Sequence, residues 1–125
     1  MDLSPTASRF DSSISWLAAV GHQAALTVFD DFGPDRIYAR NRELTTALRG
    51  ALSAVGWDPV DLPERHQSTI VSVPLGGLEP APLLAALSDQ GVVCSARDGN
   101  LRLTIHFYNH EDDIERLART LPSAG

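Results

Sequence analysis

A chain of 125 residues is the length of one domain and long enough to build a core. Its 43% hydrophobic and 21% charged residues are ordinary for a globular protein. A formal charge of −6 argues against nucleic acid or an anionic membrane as the main partner, because both select basic surfaces.

No apolar run approaches the roughly 20 residues of a membrane span. The opening MDLSPTASRF lacks the basic start and apolar stretch of a secretory signal. The single cysteine, Cys94, excludes an internal disulfide, and a cytoplasmic location is expected. All ten basic residues are arginine. Chemistry that needs a lysine amine therefore cannot run on this polypeptide alone.

Residues 1–8, with Pro5 and little periodicity, read as a flexible lead-in. From Ser13 to about Asp31, Ile14, Leu17, Ala18, Ala25, Val28 and Phe29 fall at helical spacing, with Ser12 or Ser13 as N-cap. Trp16 and Val20 widen this apolar surface and predict burial on two sides. Gly33-Pro34 ends that helix and starts a second, about Pro34 to Val55. Its stripe is Ile37, Leu44, Ala47, Leu48, Ala51, Leu52 and Val55, its arginines read as a solvated face, and Gly56 follows as a stop.

Trp57 to Leu62 reads as a short edge or irregular strand limited by Pro59 and Pro63. Ser68 to Leu75 alternates as a strand, Glu79 to Gln90 is helical, and Val92 to Arg97 is a further strand. Asp98-Gly99 signals a hairpin turn. Asn100 to Leu121 then reads as a strand running into a helix. Leu101, Leu103, Ile105 and Phe107 alternate with Arg102, Thr104, His106 and Tyr108. Asn109 is the expected cap, with Asp112 as its first-turn partner. Residues 122–125 form a tail. The order predicts an α+β fold in two layers: a small, mainly antiparallel sheet of three to four strands packed against helices, preceded by two long helices. A single domain over residues 9–121 is expected.

Candidate chemistry is sparse. His106 and His110 are four apart, but one is predicted on a strand and the other beyond a cap, so the spacing loses its force as a metal signature. No metal site is expected. Cys94, between Val93 and Ser95 on a predicted strand, reads as a buried small apolar residue rather than a reactive thiolate. Arg102 differs, because a mid-strand arginine opposite the aliphatic face can offer a rigid fork to a carboxylate. From the residues alone, a surface salt bridge is the competing reading and the better supported one.

Gly91-Val92-Val93-Cys94-Ser95-Ala96-Arg97, then Arg102, His106-Phe107-Tyr108-Asn109, Asp112-Asp113-Ile114 and Leu117 resemble the C-terminal end of class V aminotransferase-type enzymes. These fold-type I pyridoxal-phosphate proteins include cysteine desulfurases, selenocysteine lyases, kynureninases and isopenicillin-N-epimerase-like proteins. His110 stands where threonine is usual. Arg9-Phe10-Asp11 resembles the family's lead into this region, so the likeness runs from about Arg9 to Leu121.

The resemblance implies that Arg102 holds the α-carboxylate of an amino-acid substrate, which reverses the reading of that residue. It places His106 beside the site, shaping the strand end. The family's Gly-Thr is Ser13-Ile14 here, so Ser13, or Ser12 or Ser15 in its place, is the implied cofactor-phosphate contact. Cys94 does not occupy the loop that carries the desulfurase cysteine. The resemblance implies pyridoxal phosphate in the parent enzyme, bound by a large domain that these residues do not include. With no lysine, the isolated chain is expected to bind no cofactor and to catalyse nothing alone. A homo-oligomer is expected. The alternative is a free-standing, non-catalytic binding or dimerisation module of the same fold, and a metal hydrolase using His106 and His110 is a third reading.

Overall fold

The computed structural model describes residues 5–6 and 15–122. The chain forms two compact units, Met1–Pro34 and Asp35–Gly125. The first unit holds helix α1, Trp16–Phe32. Ser15 is its N-cap, accepting the Ala18 N–H on its hydroxyl at 3.4 Å. Gly33, at φ 84°, closes it by donating its N–H to the Phe29 carbonyl at 2.8 Å. The expected caps Ser12 and Ser13 lie outside the described residues. All 17 residues of α1 are exposed, Trp16 at 82% and Val20 at 67%. The two-sided burial expected of this helix is therefore corrected: none of its residues is buried.

Helix α2, Pro34–Ala54, buries Ile37, Leu44, Thr45, Leu48 and Leu52, and proline occupies its first position as the missing N–H allows. Gly56 follows at φ 85°, and the N–H groups of Val55 and Trp57 both return to the Leu52 carbonyl. Residues 57–62 form no regular strand. One ladder-like bond, from the Val60 N–H to the Ser72 carbonyl at 2.8 Å, joins them to the sheet edge. Both terminal guanidinium nitrogens of Arg49 donate to the Val60 carbonyl at 3.2 Å.

The sheet has three antiparallel strands: β1, Ile70–Pro74; β2, Ser95–Arg97; and β3, Asn100–Thr104, which lies between the other two. Helix α3, Pro80–Asp89, connects β1 to β2, and α4, Glu111–Thr120, follows β3. The expected strand from Val92 begins only at Ser95, with Val93 left 92% exposed. Val71, Val73, Leu101 and Leu103 form one sheet face. They share a single core with Leu44, Leu48 and Leu52 of α2, Leu83 and Leu87 of α3, and Ile114 and Leu117 of α4. Trp57 joins this core and donates its indole N–H to the Pro122 carbonyl at 2.8 Å. The fold is α+β, as the order of elements predicts.

Candidate functional site

The geometry of the opposite sheet face follows from one turn. Asp98 and Gly99 both have positive φ, 51° and 75°, and link β2 to β3 in two residues. Both central residues of a type I′ hairpin need that conformation, which glycine and aspartate tolerate best. The turn sets Arg97 opposite Asn100 and Ser95 opposite Arg102. On the other side, β1 sets Ser72 opposite Arg102. The ladder continues past both ends of β1, with the Leu75 N–H on the Gly99 carbonyl at 3.0 Å and the Ile105 N–H on the Thr69 carbonyl at 3.1 Å.

Arg102 is thus the middle residue of the central strand, with a serine on each side, on the face away from the core. It is half-buried. Among the described residues it has neither a hydrogen bond nor an ion pair through its guanidinium. Most of the other described arginines differ. Arg40, Arg42, Arg49, Arg97, Arg116 and Arg119 have acidic partners, and Arg65 contacts His66. Arg36 sits exposed in the first turn of α2. Removing a cation partly from water without a counter-charge is unfavourable, so this position suits an anion.

The segment after β3 departs from the sequence reading. The regular strand ends at Thr104, and residues 106–109 form a tight turn. Asn109 donates its N–H to the His106 carbonyl and accepts the His106 N–H on Oδ1, both at 2.8 Å. Its side chain is therefore engaged backwards, and His110 is the N-cap of α4. Asp113, not Asp112, supplies the acidic partner, its carboxylate accepting the His110 N–H at 3.0 Å and an Asn109 side-chain N–H at 3.3 Å. These bonds, His110's first, hold the Asp113 carboxyl below its usual range. Glu111 is drawn down to about 2, chiefly by Arg40 of α2 at 2.8 Å.

The His106 ring stacks on Tyr108 with centroids 4.9 Å apart at 24°, and its Nδ1 is buried without a partner among the described residues. No hydrogen bond or ring contact joins it to Arg102 among the described residues. Nor do three or more His, Cys, Asp or Glu side chains gather there where a metal could sit. Cys94 is half-buried against the core, and burial pushes its thiol pKa up. Ser13 lies outside the described residues. No helix is long and apolar enough to cross a membrane.

Ser72, Ser95 and Arg97 are the neighbours of Arg102 that a sequence reading misses. For Ser95 and Arg97 the signal was present, since a two-residue turn at 98–99 fixes every pair across the hairpin. Ser72 had none, because its pairing spans 30 residues of chain (102 minus 72).

The model for Aminotransferase class-V matches residues 2–117. Among solved structures, the chain is similar to the apo form of a cysteine desulfurase from Thermococcus onnurineus NA1. That match has TM-score 0.76 and 18% identity and covers 95% of this chain and 35% of that one. It is also similar to the cysteine desulfurase CsdA (S-sulfonic acid) from Escherichia coli, with TM-score 0.74 and 18% identity, covering 88% of this chain and 31% of that one. At such identity the likeness is one of fold, and the chain spans about a third of the length of either structure. No curated protein matches it. The match to the family model bears out the resemblance drawn from Gly91 to Leu117: this chain belongs to the class-V aminotransferase family.

Proposed function

We propose that this chain is the small domain of a pyridoxal-phosphate enzyme that acts on an amino acid, and that Arg102 grips the substrate's α-carboxylate. The observation that supports this most is the half-buried guanidinium at the centre of the central strand, unpaired among the described residues. A planar fork there can take both carboxylate oxygens, and the backbone ladder on either side fixes where it stands. Ser72 and Ser95 flank it with neutral hydroxyls that neither cancel its charge nor compete for an anion. His106 shapes the end of the site through its stack on Tyr108.

The residues of this chain do not fit the cofactor itself. Pyridoxal phosphate serves as an electron sink at the amino-acid α-carbon and needs an amine to anchor its aldehyde. The chain has no lysine. In this proposal the cofactor and its lysine belong to a large domain, and the part played here is to bind and orient substrate. A cytoplasmic, homo-oligomeric holoenzyme completes the reading. Titrating the full chain with L-alanine and with L-alanine amide, followed by amide NMR shifts, tests it. Alanine should move the β3 signals and the amide should not. Equal responses would overturn the carboxylate role.

A second reading, a free-standing binding or dimerisation module, draws on α1, whose Trp16, Leu17 and Val20 are all exposed. Sedimentation of a clean monomer would count against it.

A further inference from the structure

The open face of the sheet carries a second cation. Along β2, Ala96 packs against the core, so Ser95 and Arg97 lie on the other side, the side of Arg102. Because Arg97 faces Asn100 while Ser95 faces Arg102, the two arginines are diagonal neighbours across the β2–β3 pair. Diagonal positions in an antiparallel pair stand roughly 7–8 Å apart, within reach of two long side chains. No strand residue on this face is acidic, in a chain with 16 Asp and Glu against 10 Arg. The local sign opposes the global one, which is the arrangement of a surface that receives anions.

Arg97 is available for that task. Among the described residues its only acidic contact is Asp98, the next residue, at 3.4 Å, with side chains 73% and 87% exposed. Such a pair holds weakly in water, and a bidentate carboxylate can displace it. The two-residue turn also fixes the offset between Arg97 and Arg102, so the face measures the distance between two acidic groups and not only their presence.

We propose that Arg97 receives a second carboxylate, so that the substrate class of this site is an amino acid with an acidic side chain. This rests on Arg102 taking the α-carboxylate. It adds a specificity residue that the α-carboxylate reading does not require.

The test is a titration of the full chain, by amide NMR shifts at low salt, with L-alanine, L-aspartate and L-glutamate in turn. At least one acidic amino acid should bind about threefold to tenfold more tightly than alanine. Arg97→Gln should bring it down to the alanine level, and Arg97→Lys, which keeps the charge, should restore part of the preference. An acidic amino acid that binds no better than alanine, or a preference that survives Arg97→Gln, would overturn this proposal alone. Alanine binding that survives Arg102→Gln would overturn the carboxylate reading beneath it. No response to any of the three amino acids would overturn both. Unchanged amide spectra of the ligand-free variants show that each is folded.

Discussion

Strand β3 shows two faces of one element under opposite demands. Leu101 and Leu103 are 0% and 4% exposed on the helix side, while Arg102 and Thr104 on the other side stand among Ser72 and Ser95. The apolar side sets the register, because a slip of one residue would drive Arg102 into the core and the leucines into water. The polar side contributes little to that choice but inherits its accuracy. A side chain on a central strand is thus positioned by the packing beneath it, and the two faces should separate under mutation into stability and recognition.

The largest expected effect lies on the buried face. Leu101→Ala removes a fully buried side chain from the middle of the sheet and should cost about 2–5 kcal/mol of unfolding free energy, measured by urea denaturation. A cost below ~1 kcal/mol would mean that the site relaxes and that the core does not hold the register. Arg102→Ala, one residue along, should behave in the opposite way. Its unfolding free energy should stay within roughly 0.5 kcal/mol of the parent, since no partner is lost. Amino-acid affinity should fall by about 1.5–3 kcal/mol, the range for a hydrogen bond to a charged group. A large stability loss in Arg102→Ala would break the division between the faces.

How much of this arrangement the sequence discloses depends on how far apart the partners lie along the chain. The alternation of β3, the Asp98-Gly99 turn and the exposure of Arg102 away from the leucines are local, and all are legible. That Arg102 has no partner among the described residues is not legible, because any of 16 acidic residues elsewhere could have reached it. The segment after β3 misled for a physical reason: His106, Phe107 and Tyr108 continue a plausible strand alternation. Asn109 instead spends its side chain closing a turn on His106, so the helix starts at Glu111 with His110 as its cap. The two long helices make the same point on a larger scale. Both show helical apolar spacing, yet α2 buries Ile37, Leu44, Leu48 and Leu52 while α1 buries nothing. Periodicity says that a face wants covering, not what covers it.

The turn ties the two faces together, so its disruption should touch both at once. Gly99→Ala places a side chain at φ 75°, with no heavy atom within 4 Å of the new Cβ, so the cost is backbone conformation and not collision. About 1–2 kcal/mol of stability should be lost. Amino-acid affinity should weaken too, because the offset between β2 and β3 loosens. Stability loss with unchanged affinity would show that the open face does not depend on the hairpin for its geometry.

The smallest effect is confined to the helix side. Glu111 at the start of α4 pairs with Arg40 of α2 at 2.8 Å, linking two helices that cover the buried face. Its carboxyl is held at about 2, against an ordinary value of 4.5. A depressed acid stabilises the fold while ionised, so its contribution is complete above pH 4.5 and fades as the pH falls towards 2. Asp113 is lowered as well, and acts in the same direction. The pair is exposed and Arg40 keeps a second partner in Glu43 at 3.0 Å, so the loss should be slight. Thermal unfolding of the parent and of Glu111→Gln across that pH window isolates it. The parent should lose a little more stability on acidification than the variant, because only the parent has this carboxylate to protonate. Identical slopes would show that the bridge contributes nothing and that the apolar contacts of Ile114 and Leu117 alone hold α4 on the sheet.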